Sequence, residues 1–322
     1  MQILRSVPDA AASPIALTIG NFDGVHLGHQ AMLARLCAAA SARGLSACVM
    51  TFEPHPREFF APDQAPARLT SLREKLELLA QHGVDRVQVC RFNFALAQVT
   101  AQEFIERILV RGMGVRWLQV GDDFRFGARR VGDLALLKAV APQHGYEVEA
   151  IPTVLLDGER VSSTAVRDAL SAGNTVKAAR LLGRPYSIRG RVVRGDQLGR
   201  KLGFPTANVQ MKHNRPPLSG IFAVEFHRAG GERLRGVASL GVRPTVKAPG
   251  AMPVLEVYLL DFSGELYGEQ VRVDFLHKFR DEARYVDVEA LQQQIARDVA
   301  DARGFFERHY AAPAVAGSGK KT

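Results

Sequence analysis

The sequence predicts two folds in succession. Residues 1–184 read as an α/β domain built on a parallel, doubly wound sheet, and residues 185–310 as a small closed β-barrel with a terminal helix. Residues 311–322 read as a flexible tail of small and polar residues. Three observations predict this. Apolar, β-branched runs alternate with helical patterns as far as Leu182. From Tyr186 strand-like runs follow one another with Gly, Pro and Asp between them, and closure is how such a unit removes exposed edges. Finally, 322 residues exceed what one small core organises, so two domains is the prior.

In chain order, Ile15 to Ile19 is a buried strand that stops at Gly20. The turn Gly20-Asn21-Phe22-Asp23-Gly24-Val25 leads into His26-Leu27-Gly28-His29, and an Ala/Leu-rich helix runs from there to Arg43. A strand, a Gly-containing turn and a helix start form an anion-binding geometry, because glycine lets the backbone approach and free N–H groups point at the ligand. His26 and His29 lie at the turn, where both rings can donate to phosphate oxygens, and a charged imidazole would stabilise charge developing during transfer. Gly20, Phe22, Asp23 and Gly24 belong to the same candidate nucleotide site.

Leu45 to Phe52 is the next strand, ending in Glu53-Pro54-His55-Pro56, which reads as a rigid loop where ligands of open α/β sheets bind. Read alone, His55 is equally a loop histidine pinned by prolines. Ser71 with Glu74, and Thr100 with Glu103, are capping boxes that open helices to Gln81 and Arg111. Val84 to Cys90 and Val115 to Val120 are strands. The loop from Gly121 to Arg130 gathers carboxylates and arginines after a strand, with Asp123 as the candidate ribose or metal contact; a solvated charge cluster is the alternative. Asp133 to Ala141 is helical and Tyr146 to Ile151 is a strand. Ser162, Ser163 and Thr164 open a helix with Arg167 one turn in. They are good caps, and the same hydroxyls and N–H groups suit a triphosphate. A short helix from Asn174 to Leu182 ends at Gly183-Arg184-Pro185.

In the second unit the strands are Ser187 to Arg194, Ile221 to His227, Leu234 to Gly241, Leu255 to Leu260 and Gln270 to Leu276. Between the first two, Gly199-Arg200-Lys201-Leu202-Gly203-Phe204-Pro205-Thr206-Ala207-Asn208 reads as a turn whose Gly199, Lys201 and Gly203 can follow phosphate, while Thr206 and Asn208 are short oxygen donors suited to Mg²⁺. A plain Gly/Pro turn is the alternative. Arg243 is fixed in the loop Gly241 to Thr245. Glu256 lies in an otherwise apolar strand and, by alternation, shares a face with Tyr258. It is a candidate general base or an outward-facing residue. Val288, Leu291, Ile295, Val299 and Phe306 mark the apolar face of a last helix that packs on the barrel.

Composition narrows the function classes. The chain is 47% hydrophobic and 23% charged, which is ordinary for a globular protein. No apolar run reaches the roughly 18 residues of a membrane span, and Met1 to Pro14 has no apolar core of a signal peptide. Cys37, Cys48 and Cys90 stand singly, as buried free thiols of a reducing compartment do. A net charge of +9 is compatible with nucleic acid or with small anionic substrates. A barrel that binds RNA would need lysines and arginines interleaved with aromatics, which this sequence lacks, so no nucleic-acid partner is expected. The oligomeric state stays open, a homo-oligomer included.

The His26-Leu27-Gly28-His29 frame resembles the H-x-G-H signature of the nucleotidylyltransferase superfamily, which implies a Rossmann-like first domain. Taken together, GNFDGVHLGH, TFEPHP, GDDFRFG, SSTAVR, GRKLGFPTAN, GVRPT and EVYLLDF…LYG resemble, from near Leu17 to about Tyr310, the bacterial bifunctional riboflavin kinase/FAD synthetases. The resemblance implies a C-terminal kinase that makes FMN from riboflavin and ATP. It implies an N-terminal adenylyltransferase that makes FAD and pyrophosphate from FMN and ATP, in the cytoplasm. By that likeness His26 and His29 bind the ATP phosphates and stabilise the adenylyl transition state. His55, Asp123, Ser163, Thr164 and Arg167 contact nucleotide or phosphate, although many relatives carry Asn where Asp123 stands. Thr206 and Asn208 hold Mg²⁺ with ATP, Arg243 contacts the flavin, and Glu256 activates the ribityl 5′-hydroxyl.

Overall fold

The structure is a computed structural model that describes residues 1–195, 199, 202–212, 215–241 and 253–310. Lys201, Arg243 and the tail lie outside the described residues. The chain divides into two compact units, one of Met1–Val166 with Leu181–Gly183, the other of Arg167–Arg180 with the chain from Arg184 on.

In the first unit the strands are β1 (Gln2–Leu4), β2 (Ile15–Ile19), β3 (Ser46–Glu53), β4 (Arg86–Arg91), β5 (Val115–Gly121) and β6 (Glu147–Ile151). They form one sheet in the order β1-β4-β3-β2-β5-β6, with every pair parallel. Helices α1 (Leu27–Ala42), α2 (Pro56–Phe60), α3 (Leu72–Gln81) and α4 (Leu134–His144) connect them. All five residues of β2 are buried, which is why it reads as an unbroken apolar run: a parallel strand covered on both faces has no polar side to alternate with. Leu17, Ile19, Cys48 and Met50 face one core layer, and Ala16, Val49, Leu33 and Trp117 the other. The chain winds outward from β2 to β4 and then crosses back to β5 on the other side of β2. The strand order therefore reverses between β2 and β5, where an open sheet has its ligand crevice.

Both capping boxes form, with Ser71 against Glu74 and Thr100 against Glu103. The second opens a single α-turn that continues as a π-helix over Phe104–Gly112. Two local features differ from expectation. The edge strand β1 is not predicted by the sequence because three residues carry too little pattern. The rigid loop expected after Pro54 is instead the start of a helix: Pro56 sits at N1 of α2, the helical position proline tolerates best, and His55 caps it. Cys48 and Cys90 are buried, and burial pushes both thiols up to about 12, whereas Cys37 is only half-buried.

The second unit opens with the short helices α5 (Ser163–Ser171) and α6 (Thr175–Leu182), the former starting and the latter ending within the first unit. Strands β7 (Tyr186–Val193), β8 (Thr206–Met211), β9 (Gly220–Arg228), β10 (Arg233–Gly241), β11 (Val254–Leu259) and β12 (Gln270–Arg280) follow. They close into an antiparallel barrel in the order β7-β8-β11-β10-β9-β12. Thr175 Oγ1 donates to the Leu276 carbonyl at 2.7 Å and ties α6 to β12. The final helix α7 (Val288–Tyr310) buries Ala302, Phe305 and Phe306 against Ile221, Ala223 and Val237. Of its expected apolar face, Val299 and Phe306 pack there, while Val288 at the helix start is 54% exposed. The barrel has one more strand than the sequence predicts: the expected turn from Gly199 to Asn208 becomes β8 at Thr206. Its strand pattern is hidden because Thr206 and Asn208 are polar and only alternate residues enter the barrel.

Candidate active sites

The turn after β2 is held in a conformation few residues adopt. Phe22, Gly24 and Val25 all have positive φ, at 48°, 81° and 42°. At Gly24 a Cβ would also fall 2.7 Å from Leu69 Cδ1, so glycine is required twice over. Asp23 fixes this turn. Its carboxylate accepts hydrogen bonds from the Leu69 and Thr70 N–H groups and from Thr70 Oγ1 at 3.0–3.1 Å, and Thr70 Oγ1 in turn accepts from the Gly24 N–H. Asp23 is 7% exposed. Ser163 Oγ donates to the Asp23 carbonyl at 2.9 Å, which joins the start of α5 to the turn.

His26 is the N-cap of α1, its Nδ1 accepting from the His29 N–H at 3.3 Å. One turn in, His29 stacks on it, with ring centroids 3.7 Å apart and planes 18° from parallel. Phe22 closes against the other side of His29 at 4.9 Å. Gly28 carries no side chain that would crowd this stack: a Cβ there would lie 3.1 Å from His26 Cε1. Burial, then the neighbouring His26 ring and Lys75, hold His29 well below the ordinary imidazole range. Its Nδ1 is buried without a hydrogen-bond partner among the described residues. Burial therefore disfavours the charged form of His29 in the free protein. An arriving polyanion favours its protonated form.

A cavity of about 250 Å³ opens over this stack at the reversal point of the sheet. Gly20, Phe22, His26, His29 and Asp123 line it. Asp23, Gly24, His55, Ser163 and Thr164 do not appear in its lining, although Ser162 does. His55 Nδ1 is taken by the Arg57 N–H at 3.0 Å, while the His55 N–H donates to Glu58. Arg68 binds the Glu53 and Glu58 carboxylates and fixes that loop. Arg167 belongs to the second compact unit. Arg160, which the sequence reading missed, lines the cavity and donates to Asp123 Oδ2 at 2.7 Å. Its only local signal was a two-residue hairpin strand after Gly158, and nothing in that pattern points across the chain to Asp123.

In the barrel, Leu255, Val257 and Leu259 point inward and are buried, whereas Val254, Glu256 and Tyr258 face outward and are partly exposed. Glu256 and Tyr258 share a face, and that face is the outside of the barrel. Cross-strand register places Asn208 of β8 and Ser239 of β10 on either side of Glu256, and Thr206 beside Tyr258. Asn208, Glu256 and Ser239 thus form one row across three strands. Gly195 backs onto the Asn208 amide, where a Cβ would fall 2.4 Å from Oδ1. Gly199 packs as tightly: its carbonyl accepts from the Leu202 and Phe204 N–H groups, and a Cβ would meet Phe204 O at 2.4 Å. Gly203 has φ +84° and open space around it, so its role is the turn itself. The hydroxyl, amide and carboxylate oxygens of Thr206, Asn208 and Glu256 are a hard donor set, the kind a small divalent cation takes.

Comparisons with known proteins follow the same division. A family model described as FAD synthetase matches residues 9–165, and one described as riboflavin kinase matches residues 182–306. Proteins described as bifunctional riboflavin kinase/FMN adenylyltransferase are similar over nearly the whole chain. That of Escherichia coli K12 is 48% identical, covering 95% of this chain and 98% of its own. That of Pseudomonas fluorescens is 52% identical over 89% and 91%, and that of Haemophilus influenzae 44% over 95% and 99%. A crystal structure of a Streptococcus pneumoniae protein described as a macrolide-efflux protein superposes with a TM-score of 0.81 at 28% identity, covering 97% of this chain and 100% of that one. Among the described residues here, no helix is long and apolar enough to cross a membrane.

Proposed function

The chain belongs to the bacterial bifunctional riboflavin kinase/FMN adenylyltransferase family, and from that membership we propose how its two units divide the work. The protein phosphorylates riboflavin with ATP to give FMN and ADP, then adenylylates FMN with a second ATP to give FAD and pyrophosphate. The first reaction belongs to the barrel, in a domain of residues 185–310, and the second to residues 1–184. Chain order runs opposite to reaction order. Its partners are the small molecules riboflavin, FMN, FAD and ATP; it acts in the cytoplasm and takes no nucleic acid. The observation that carries the reading is that one chain holds both a stacked histidine pair over a sheet crevice and a carboxylate–amide row on a barrel.

In the N-terminal site an FMN phosphate oxygen attacks the α-phosphorus of ATP, and the bond to pyrophosphate breaks. The nucleophile comes with the substrate, which fits the lack of a nucleophile–base pair among the sequence motifs. His26 and His29 take the phosphates at the N-terminus of α1, and His29 gains its proton as the polyanion offsets the charge that had opposed it. Gly20 and Phe22 shape the wall, and Asp123, oriented by Arg160, faces the nucleoside side. Asp23, Gly24 and Ser163 set the turn; His55 and Thr164 are further phosphate contacts.

In the C-terminal site Glu256 takes the proton of the ribityl 5′-hydroxyl, whose oxygen attacks the γ-phosphorus as the bond to ADP breaks. The oxygens of Thr206 and Asn208 would hold Mg²⁺, which would offset phosphate charge. Gly199, Lys201 and Gly203 follow the phosphates, and Arg243 contacts the flavin.

The test is a time course with riboflavin, ATP and Mg²⁺, resolving the flavins by chromatography. FMN appears before FAD in the native protein, His26→Ala stops at FMN, and Glu256→Gln forms FAD only when FMN is supplied. A native protein that converts neither flavin refutes the reading.

A further inference from the structure

We propose that the first unit carries a second anion site, apart from the nucleotide crevice, which takes a phosphorylated small molecule with an apolar ring, the class to which the protein's own nucleotides belong. The choice of class rests on the flavin-nucleotide reading above, and the site is one that neither reaction uses.

Four observations carry it. A cavity of about 550 Å³ is lined by the segment Arg5 to Asp9, the end of β4 and the π-helix, and it shares no lining residue with the crevice. Arg5, Arg91, Arg107 and Arg111 all line it and are all exposed, while Asp9 is the one acid in the lining. Among the described residues no side-chain hydrogen bond or ion pair engages any of these four guanidinium groups. Glu103, whose charge reaches Arg107, is held by the Thr100 N–H and hydroxyl, each at 2.9 Å. The floor is apolar, with Cys90, Val99 and Ile108 buried. Finally, the wall formed by the N-terminal segment is fixed. The Ala11 N–H donates to the Arg111 carbonyl at 2.8 Å, and a Cβ at Gly112 would fall 2.6 Å from Val7 Cγ1.

Four cations around one cavity repel one another, and an anion among them relieves that repulsion. Their placement follows from the backbone. A π-helix closes its hydrogen bonds from i to i+5, so Arg107 and Arg111 stand nearly one turn apart and share a face with the cavity between them and the sheet. Runs of π-helix are rare and occur frequently at functional sites. Arg91 ends a parallel strand, the side of an open sheet on which ligands bind. Guanidinium groups meet phosphate through paired N–H donors. The buried aliphatic floor asks for an apolar body on the same ligand, which a bare inorganic anion lacks. The volume lies within the range of roughly 300–1,000 Å³ that small-molecule sites occupy. A nucleotide meets all three demands, its phosphates among the arginines and its ring on the floor.

The experiment is equilibrium dialysis of the full-length protein against FMN, ADP and pyrophosphate in turn. It compares the native chain with the double variants Arg107→Ala/Arg111→Ala and Arg107→Lys/Arg111→Lys. The native chain should bind one equivalent more of FMN or of ADP than the alanine variant, and which of the two shows the difference identifies the source. Two lost charge-assisted contacts should weaken that equivalent by about 100-fold or more. The lysine variant keeps the charge without the planar fork and should fall between. The remaining equivalents should bind as in the native protein. Equal stoichiometry and affinity in the native and alanine forms overturn the proposal. So does pyrophosphate bound at this site as tightly as the nucleotides, because the floor then plays no part. Thermal melting identifies a variant that fails to fold, and if the alanine pair does so the lysine pair carries the comparison. A native protein that makes no FAD from FMN refutes the flavin reading itself, a result distinct from an active enzyme with no arginine-dependent equivalent.

Discussion

Asp23→Asn separates two roles that the sequence could not tell apart. From its place in the motif, Asp23 reads as a nucleotide contact; in the fold its carboxylate accepts from Leu69 N–H, Thr70 N–H and Thr70 Oγ1 while only 7% exposed. Asparagine keeps the volume but replaces one acceptor oxygen with an NH₂ that meets donors. Hydrogen bonds to a charged group are worth about 1.5–3 kcal/mol each, and neighbours in one network are not additive. One bond lost outright and the rest weakened give about 3 kcal/mol. For a unit of this size that lowers the melting midpoint by about 6–12 °C. Calorimetry of the full chain should show the transition of the first unit move down while that of the barrel stays. FMN adenylylation should persist at low temperature and fail early on warming. If Asp23→Asn instead melts with the native protein yet loses adenylylation at every temperature, Asp23 serves the nucleotide and the anchoring account is wrong.

Two further outcomes follow from the same physics. His29 is held below its unfolded value, so below about pH 6.5 the unfolded chain binds a proton that the folded one refuses, and stability falls by up to about 1.4 kcal/mol per pH unit. His29→Asn should flatten that slope in urea titrations between pH 7 and 5; an unchanged slope refutes the assignment. In the barrel, Asp298→Ala removes a carboxylate that is 6% exposed and strands Arg280, itself 25% exposed, so the loss falls below the roughly 3–5 kcal/mol of a fully buried pair. It should lower the second transition and slow FMN formation, and a melting profile like the native one would count against the clamp.

Much of this protein was legible because its signals are local. The strand–turn–helix at Gly20 to His29, the two capping boxes and the all-apolar β2 are each written within a few residues, where backbone preference and burial act directly. Alternation told that Glu256 and Tyr258 share a face, and the motif spacing pointed to two nucleotide-using halves. Periodicity alone did not say which side of the barrel that face meets, since closure puts either parity inside; the packing of α7 and the buried Leu255, Val257 and Leu259 decided it. Strand β8 was hidden for a related reason, its candidate site side chains Thr206 and Asn208 being polar members of the alternation. The anchoring of Asp23 by residues 46 and 47 positions away, the pairing of Arg160 with Asp123, and the approach of Glu282 to Ser239 are contacts between distant segments. Sequence fixes which groups can bond and how each stretch bends; which carboxylate meets which donor is settled only when the strands pair and the core closes, because that geometry belongs to the whole chain.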